Sequence, residues 1–153
     1  MAILDNLLNF EPTTGTAVTS TADSTNTIDL GVGRDMGIGD DPAIILLVQA
    51  LTAVTAAGAA TLNIQLQMSA DNSTFYIAAE TGAIPKASLT ANTRLWQIYL
   101  PHRPVQLGDT PPRYIKLTYT VATGPFTAGT LFAGLMLDAQ SNKSYAPGVS
   151  IAN

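Results

Sequence analysis

Two stretches late in the chain set its hydrophobic pattern. From Arg113 to Ala122, Ile115, Leu117, Tyr119 and Val121 alternate with Tyr114, Lys116, Thr118 and Thr120. A period of two sends successive side chains to opposite faces, as in a strand buried on one side. From Thr130 to Asp138, one face carries Leu131, Ala133, Leu135 and Leu137, and the other, Phe132, Gly134 and Met136, is also largely apolar. Such a strand is expected to be covered on both sides. Between them, Thr123-Gly124-Pro125-Phe126-Thr127-Ala128-Gly129 has permissive backbone at its glycines and a fixed φ at Pro125. The pair reads as two antiparallel strands joined by a structured loop.

The same reading extends upstream. Residues 43–51 are a continuous apolar run, expected to be a central strand. In 61–68, Leu62, Ile64, Leu66 and Met68 face a core, while Asn63, Gln65 and Gln67 form a neutral amide ladder on the other side. Residues 75–80 and 95–100 read as further strands, the latter with Trp96, Ile98 and Leu100 on one face. Short strands are expected at 16–21 and 26–30 around a turn at 22–25. Residues 81–93 read as an irregular connection, and Ser69–Thr74 as a turn whose side chains bond local backbone. About eight short strands with no convincing long helix indicate an all-β sandwich or barrel. The expected inner faces are Leu62/Ile64/Leu66, Trp96/Ile98/Leu100, Ile115/Leu117/Tyr119/Val121 and Leu131/Leu135/Leu137. Trp96, the only tryptophan, is expected to anchor the core.

Composition narrows the function. With 153 residues the chain has the size of one domain, and 46% hydrophobic content argues against global disorder. Only 12% of residues are charged, about half the usual share, so strand surfaces are Thr- and amide-rich and suited to protein contact. The net charge of −4 and the scattered Lys and Arg speak against nucleic acid as a partner. There is no cysteine, hence no disulfide and no thiolate ligand. No secretory signal is read at the start, and the apolar run 43–62 reads as two strands around a small-residue loop, so no membrane partner is expected.

No constellation of chemistry-bearing residues emerges. The glycines and aspartates of 31–42 match neither a phosphate loop nor an EF-hand and read as a turn-rich connection. His102, the only histidine, sits between prolines and lacks partners for acid–base work. No catalytic, cofactor-binding or metal-ligating residue is expected, and no cofactor. A cupin-like enzyme would need several metal ligands, typically histidines.

Five stretches carry a resemblance. They are Met1-Ala2-Ile3-Leu4-Asp5-Asn6-Leu7-Leu8, Arg34-Asp35-Met36-Gly37-Ile38-Gly39, Thr81-Gly82-Ala83-Ile84-Pro85, the run from Tyr119 through Gly129, and the apolar strand ending in Leu137-Asp138. In this order they resemble the jelly-roll cement, or decoration, proteins of tailed-bacteriophage heads. The resemblance implies a jelly-roll β-sandwich of about eight antiparallel strands with N- and C-terminal arms. It divides the chain into an arm or short helix at 1–10, a body at 11–140 and a tail at 141–153. It also implies a place on the exterior of the virion head and the phage major capsid protein as partner. Self-association as a dimer or trimer at lattice symmetry axes is expected with it. The candidate contact residues are Ile3, Leu4, Leu7, Leu8 and Phe10 in the first arm and Tyr145, Val149 and Ile151 in the second. The competing reading is a carbohydrate- or receptor-binding jelly roll of a phage tail, which would want an exposed aromatic cluster.

Overall fold

The computed structural model describes residues 6–33 and 44–137. Its strands are β1 (Thr16–Ala17), β2 (Ala22–Asp23), β3 (Ile28–Asp29), β4 (Ile45–Ala50), β5 (Thr61–Ser69), β6 (Tyr76–Glu80), β7 (Ile84–Pro85), β8 (Thr93–Tyr99), β9 (Tyr114–Ala122) and β10 (Thr130–Met136). Among the described residues the only helical turns are short 3-10 segments at Asn6–Leu8, Lys86–Ser88 and Val105–Leu107.

The strands form two antiparallel sheets. One runs β1-β10-β4-β8; the other runs β2-β9-β5-β6, with β3 also on β9 and β7 also on β5. Since β2 and β3 share one edge of β9, and β6 and β7 share one edge of β5, each pair counts as a single interrupted strand. The chain then pairs with itself in reverse: β1 with β10, β2/β3 with β9, β4 with β8, β5 with β6/β7. Eight strands wound this way into two sheets make a jelly roll.

Alternation in the sequence becomes burial. In β5, Leu62, Ile64, Leu66 and Met68 are at most 2% exposed, as are Ile115, Leu117 and Tyr119 in β9. They share one core with Leu46, Val48, Ala50, Leu131, Ala133 and Leu135 from the other sheet. β4 and β10 are buried on both faces, as their runs of apolar residues require.

Several expectations fail for identifiable reasons. β9 and β10 do not pair as a hairpin. β5 and β2/β3 occupy both edges of β9, while β4 and β1 occupy both edges of β10, so the 123–129 loop carries the chain from one sheet to the other. Phe126, 3% exposed, anchors this crossing; its N–H donates to Thr19 O, and Thr127 N–H donates to Thr55 O. Gly129 closes it at φ 131°, where an added Cβ would lie 2.7 Å from Val54 Cγ2. The supposed turn at 22–25 contains β2, held to β9 through Asp23. Leu137 lies beyond the end of β10 and is 62% exposed, so the inner row is Leu131, Ala133 and Leu135. Trp96 packs on the core but stays half-buried because β8 is an edge strand. Leu89, in the connection read as irregular, is a core residue at 1% exposure.

Two substitutions test this packing. Leu117→Ala should cost roughly 2–5 kcal/mol through the cavity it leaves. Gly129→Ala should cost roughly 2–4 kcal/mol, from a left-handed backbone position and the collision with Val54. Urea unfolding followed by circular dichroism measures both; wild-type midpoints would refute the packing assigned here.

Candidate functional site

Residues 9–11 are built into the body. Phe10 and Glu11 both donate their N–H to Ala133 O, and Asn26 N–H donates to Phe10 O. The Glu11 carboxylate is 1% exposed and accepts from the Thr25 backbone N–H and hydroxyl. Beneath it, the Tyr119 hydroxyl is buried with no hydrogen-bond partner. Burial first, and the Glu11 carboxylate second, push the ionisation of Tyr119 well above the ordinary value. Asn9 bridges to Gly134, and its amide, also buried without a partner, occupies the space that a Cβ on Gly134 would need. Phe10 is wholly enclosed in the core. It cannot reach a partner while the domain is folded, so it leaves the candidate contact set, and the body begins before residue 11. Leu8 packs partly on the core, whereas Leu7 is 80% exposed. Ile3, Leu4, Tyr145, Val149 and Ile151 lie outside the described residues, as does the glycine- and aspartate-bearing segment 34–43.

The two outward sheet faces have opposite character. On the six-stranded sheet, Asn63 and Gln65 donate to Glu80 at 2.9 and 3.1 Å, and Gln67 donates to Gln65 at 3.3 Å. Lys116 and Thr118 each donate to Asp23 at 2.6 Å. Arg113 grips Asp29 with two bonds of 2.8 and 2.9 Å. Lys116 lies 4.3 Å over the Phe75 ring and Arg113 4.9 Å over that of Tyr114, so both aromatics are capped by cations. The amide ladder read from the sequence is therefore a surface that bonds largely to itself.

These bonds also set the titration of the carboxylates. The Arg113 guanidinium, helped by the Gly31 N–H, holds Asp29 at about 2. Burial alone would raise Asp23, but the bonds from Lys116 and Thr118 outweigh it and lower its value. Bonds from Asn63 and Gln65 lower Glu80, and those from the Thr74 and Ser73 backbone lower Asp71.

The outward face of the four-stranded sheet is apolar. Ile45, Leu47, Phe132 and Met136 form a second hydrophobic cluster, separate from the core, with Leu51 half-buried beside it. Tyr99 stands opposite Ile45 and is 61% exposed, and Leu137 follows Met136. The runs of apolar positions on β10 and β4 foretold burial on both faces, but not that the outward layer would have exposed Tyr99 at its edge.

The loops offer little chemistry. His102 lines a shallow, open depression with Arg103, Val105 and Asp109, and Arg103 sits 3.5 Å from Asp109. Among the described residues no three His, Asp or Glu side chains gather in the manner of metal ligands. Among them, too, no helix is long and apolar enough to cross a membrane. The Bbp16 family model matches residues 13–135, which takes in every strand but the last residue of β10. No curated protein matches the chain.

The ion pairs give a pH prediction. Asp29 has a depressed folded-state value, so its contribution is complete above the ordinary 3.8 and is lost as pH falls through about 2. Between those values the β3 edge should loosen first. Hydrogen exchange should speed at Gly31, whose N–H donates to Asp29 Oδ1, before it speeds at Leu117 in the sheet interior. Asp29→Asn should remove that pH dependence at Gly31; an unchanged profile would show that the pair does not hold the edge.

Proposed function

The chain belongs to the Bbp16 family, and on that footing we propose that it is a structural cement protein of a tailed-phage head. In this reading it binds the outer surface of the assembled shell and bridges neighbouring major capsid subunits. The observation that carries the reading is the second apolar layer. A sandwich needs one hydrophobic interior, yet here Ile45, Leu47, Phe132 and Met136 add another on the outside of the four-stranded sheet. Tyr99, opposite Ile45, is exposed at its edge, Leu137 is exposed just past the end of β10, and Leu7 is exposed just before the segment that joins β10. Exposed apolar side chains beside such a layer suit contact with another protein. The likeness of five stretches of the sequence to head cement proteins supports the same reading, and the family name is in keeping with a phage product.

The mechanism is bridging. A site divided between neighbouring subunits needs only modest contact with each, and linked contacts raise effective affinity by about 10²–10⁴. If each half buries less than about 1,000 Å², neither holds the protein alone. Binding then waits until shell expansion brings the halves into register. Leu7, together with Ile3, Leu4, Tyr145, Val149 and Ile151 of the terminal segments, supplies the second contact, and copies associate at lattice symmetry axes as dimers or trimers. Neither nucleic acid nor membrane has a role. The carbohydrate-binding alternative is less well supported: Trp96 packs on the core, and Phe75 and Tyr114 are capped by cations.

Purified protein sedimented with expanded shells, unexpanded shells and free capsid subunits should follow the expanded shells alone. Equal binding to all three would refute the divided site, and binding to none would refute the cement reading. Leu7→Asp should leave the thermal midpoint unchanged and speed release from expanded shells roughly five- to tenfold, as for a moderate interface hot spot.

A further inference from the structure

The second apolar layer has a property that a bare sheet face lacks: it is covered. Ile45, Leu47, Phe132 and Met136 point outward from the four-stranded sheet, yet within a single chain they are only 5–9% exposed. At the margin of the same face Gln97 and Tyr99 are exposed, as side chains are where nothing lies over them. Among the described residues, half-buried Leu51 is the apolar side chain packed against the layer. One leucine does not enclose four large side chains.

Gly134 shows which way a covering segment would come. It lies between Phe132 and Met136 and opposite Leu47, so a side chain there would stand on the outward face. An added Cβ would lie 2.7 Å from Asn9 Oδ1 and 3.6 Å from Leu8 O. The N-terminal segment therefore passes onto this face at the middle of β10, and only with Phe10 does it turn into the core. From Asn9 it runs back toward residue 1 through the 3-10 turn at Asn6–Leu8. Both polar atoms of the Asn9 amide are buried without a partner. The spot thus holds an unused donor and an unused acceptor for a backbone laid beside them.

We propose that Met1–Asp5 is the cover, folded back over the outward face so that Ile3 and Leu4 seat on Leu47, Phe132 and Met136. Five residues reach at most about 17 Å. From β10 across β4 to β8 is two strand spacings, about 10 Å, so the arm spans the layer. Met1-Ala2-Ile3-Leu4 carries no charged side chain. The two other segments that border the layer suit it less. Residues 34–43 bring Arg34, Asp35, Asp40 and Asp41, and residues 138–144 bring Asp138 and Lys143 with Ala139 as their one apolar residue. Either would bury charge or leave the layer wet. The docking needs no capsid, and one consequence rests on the cement reading. Ile3 and Leu4 cannot cover this layer and touch the shell at once, so the arm is stowed on the free protein and leaves the face before it reaches across a seam.

Met136 reports on the cover. Peroxide turns an accessible methionine into its sulfoxide, and mass spectrometry of peptides reads each site separately. In the free full chain Met136 should react about as slowly as Met68, which is 2% exposed in the core. Ile3→Asp with Leu4→Asp should speed oxidation at Met136 by at least about tenfold and leave Met68 protected, since sulfoxide formation follows exposure. If the aspartates unfold the body, Met68 and circular dichroism will reveal it, and Ile3→Ser with Leu4→Ser then makes the same comparison. Tyr145→Asp, Val149→Asp and Ile151→Asp together should leave Met136 protected. A reactive Met136 in the wild type, equal protection with and without the apolar residues of the arm, or loss of protection in the tail variant would overturn the proposal. No shells enter the measurement, so failure here leaves the cement reading standing, and failure to bind expanded shells leaves the docked arm standing.

Discussion

The register between β5 and β9 is the constraint on which the rest of the molecule depends. Nine residues pair with nine, from Thr61 with Ala122 to Ser69 with Tyr114. On the inner side this register stacks Leu62, Ile64, Leu66 and Met68 against Ile115, Leu117 and Tyr119. A slip of one residue between them would turn either the four of β5 or the three of β9 to solvent. The outer side adds its own restraint, because Lys116 and Thr118 both meet Asp23 of β2, and Asn63 and Gln65 both meet Glu80 of β6. Those bonds attach the two outer strands to the central pair. The ladder is therefore fixed by apolar burial on one face and by polar satisfaction on the other.

Elements with a strong local period could be read from the sequence, because burial on one face imposes that period directly. β5, β9 and β10 are of this kind, and so is the doubly buried β4. The failures lie where partner choice decides. Nothing within 113–138 shows that β9 and β10 belong to different sheets; that depends on which edges distant strands already occupy. β2 has only two residues and no period at all, and its position comes from an ion pair with a residue 93 positions away. Phe10 was legible as apolar but not as core, since an apolar residue near a terminus looks the same whether it seats in its own sandwich or on a neighbour. Glu11 and Asn9 gave no signal: a buried carboxylate and a buried amide are recognised only when the surrounding backbone is known.

The candidate surface was half legible for a related reason. The double apolar pattern of β10 announces cover on both sides but does not name the layer beyond. The structure separates two faces of one sandwich: a polar one that satisfies most of its own hydrogen-bonding groups, and an apolar one that leads to exposed side chains. A self-satisfied amide surface offers little to a ligand, because an incoming group must replace bonds already made. The layer on the other face is already buried, and the exposed apolar side chains beside it, such as Leu137, have no such competition, so contact there gains from excluding water.

The reversed pairing of the chain has a consequence for its synthesis. A ribosome makes the N-terminus first, yet Phe10 and Glu11 need Ala133, and β1 needs β10. β1 therefore waits for β10, and the nascent chain carries an unfinished interior until β10 has been made. Contacts so distant in sequence also slow folding, since long loops must close before those contacts form. The emergence of β10, rather than of any earlier strand, marks the moment at which this domain can close, and a chain broken off before β10 would leave Phe10 and β1 without the strand that seats them.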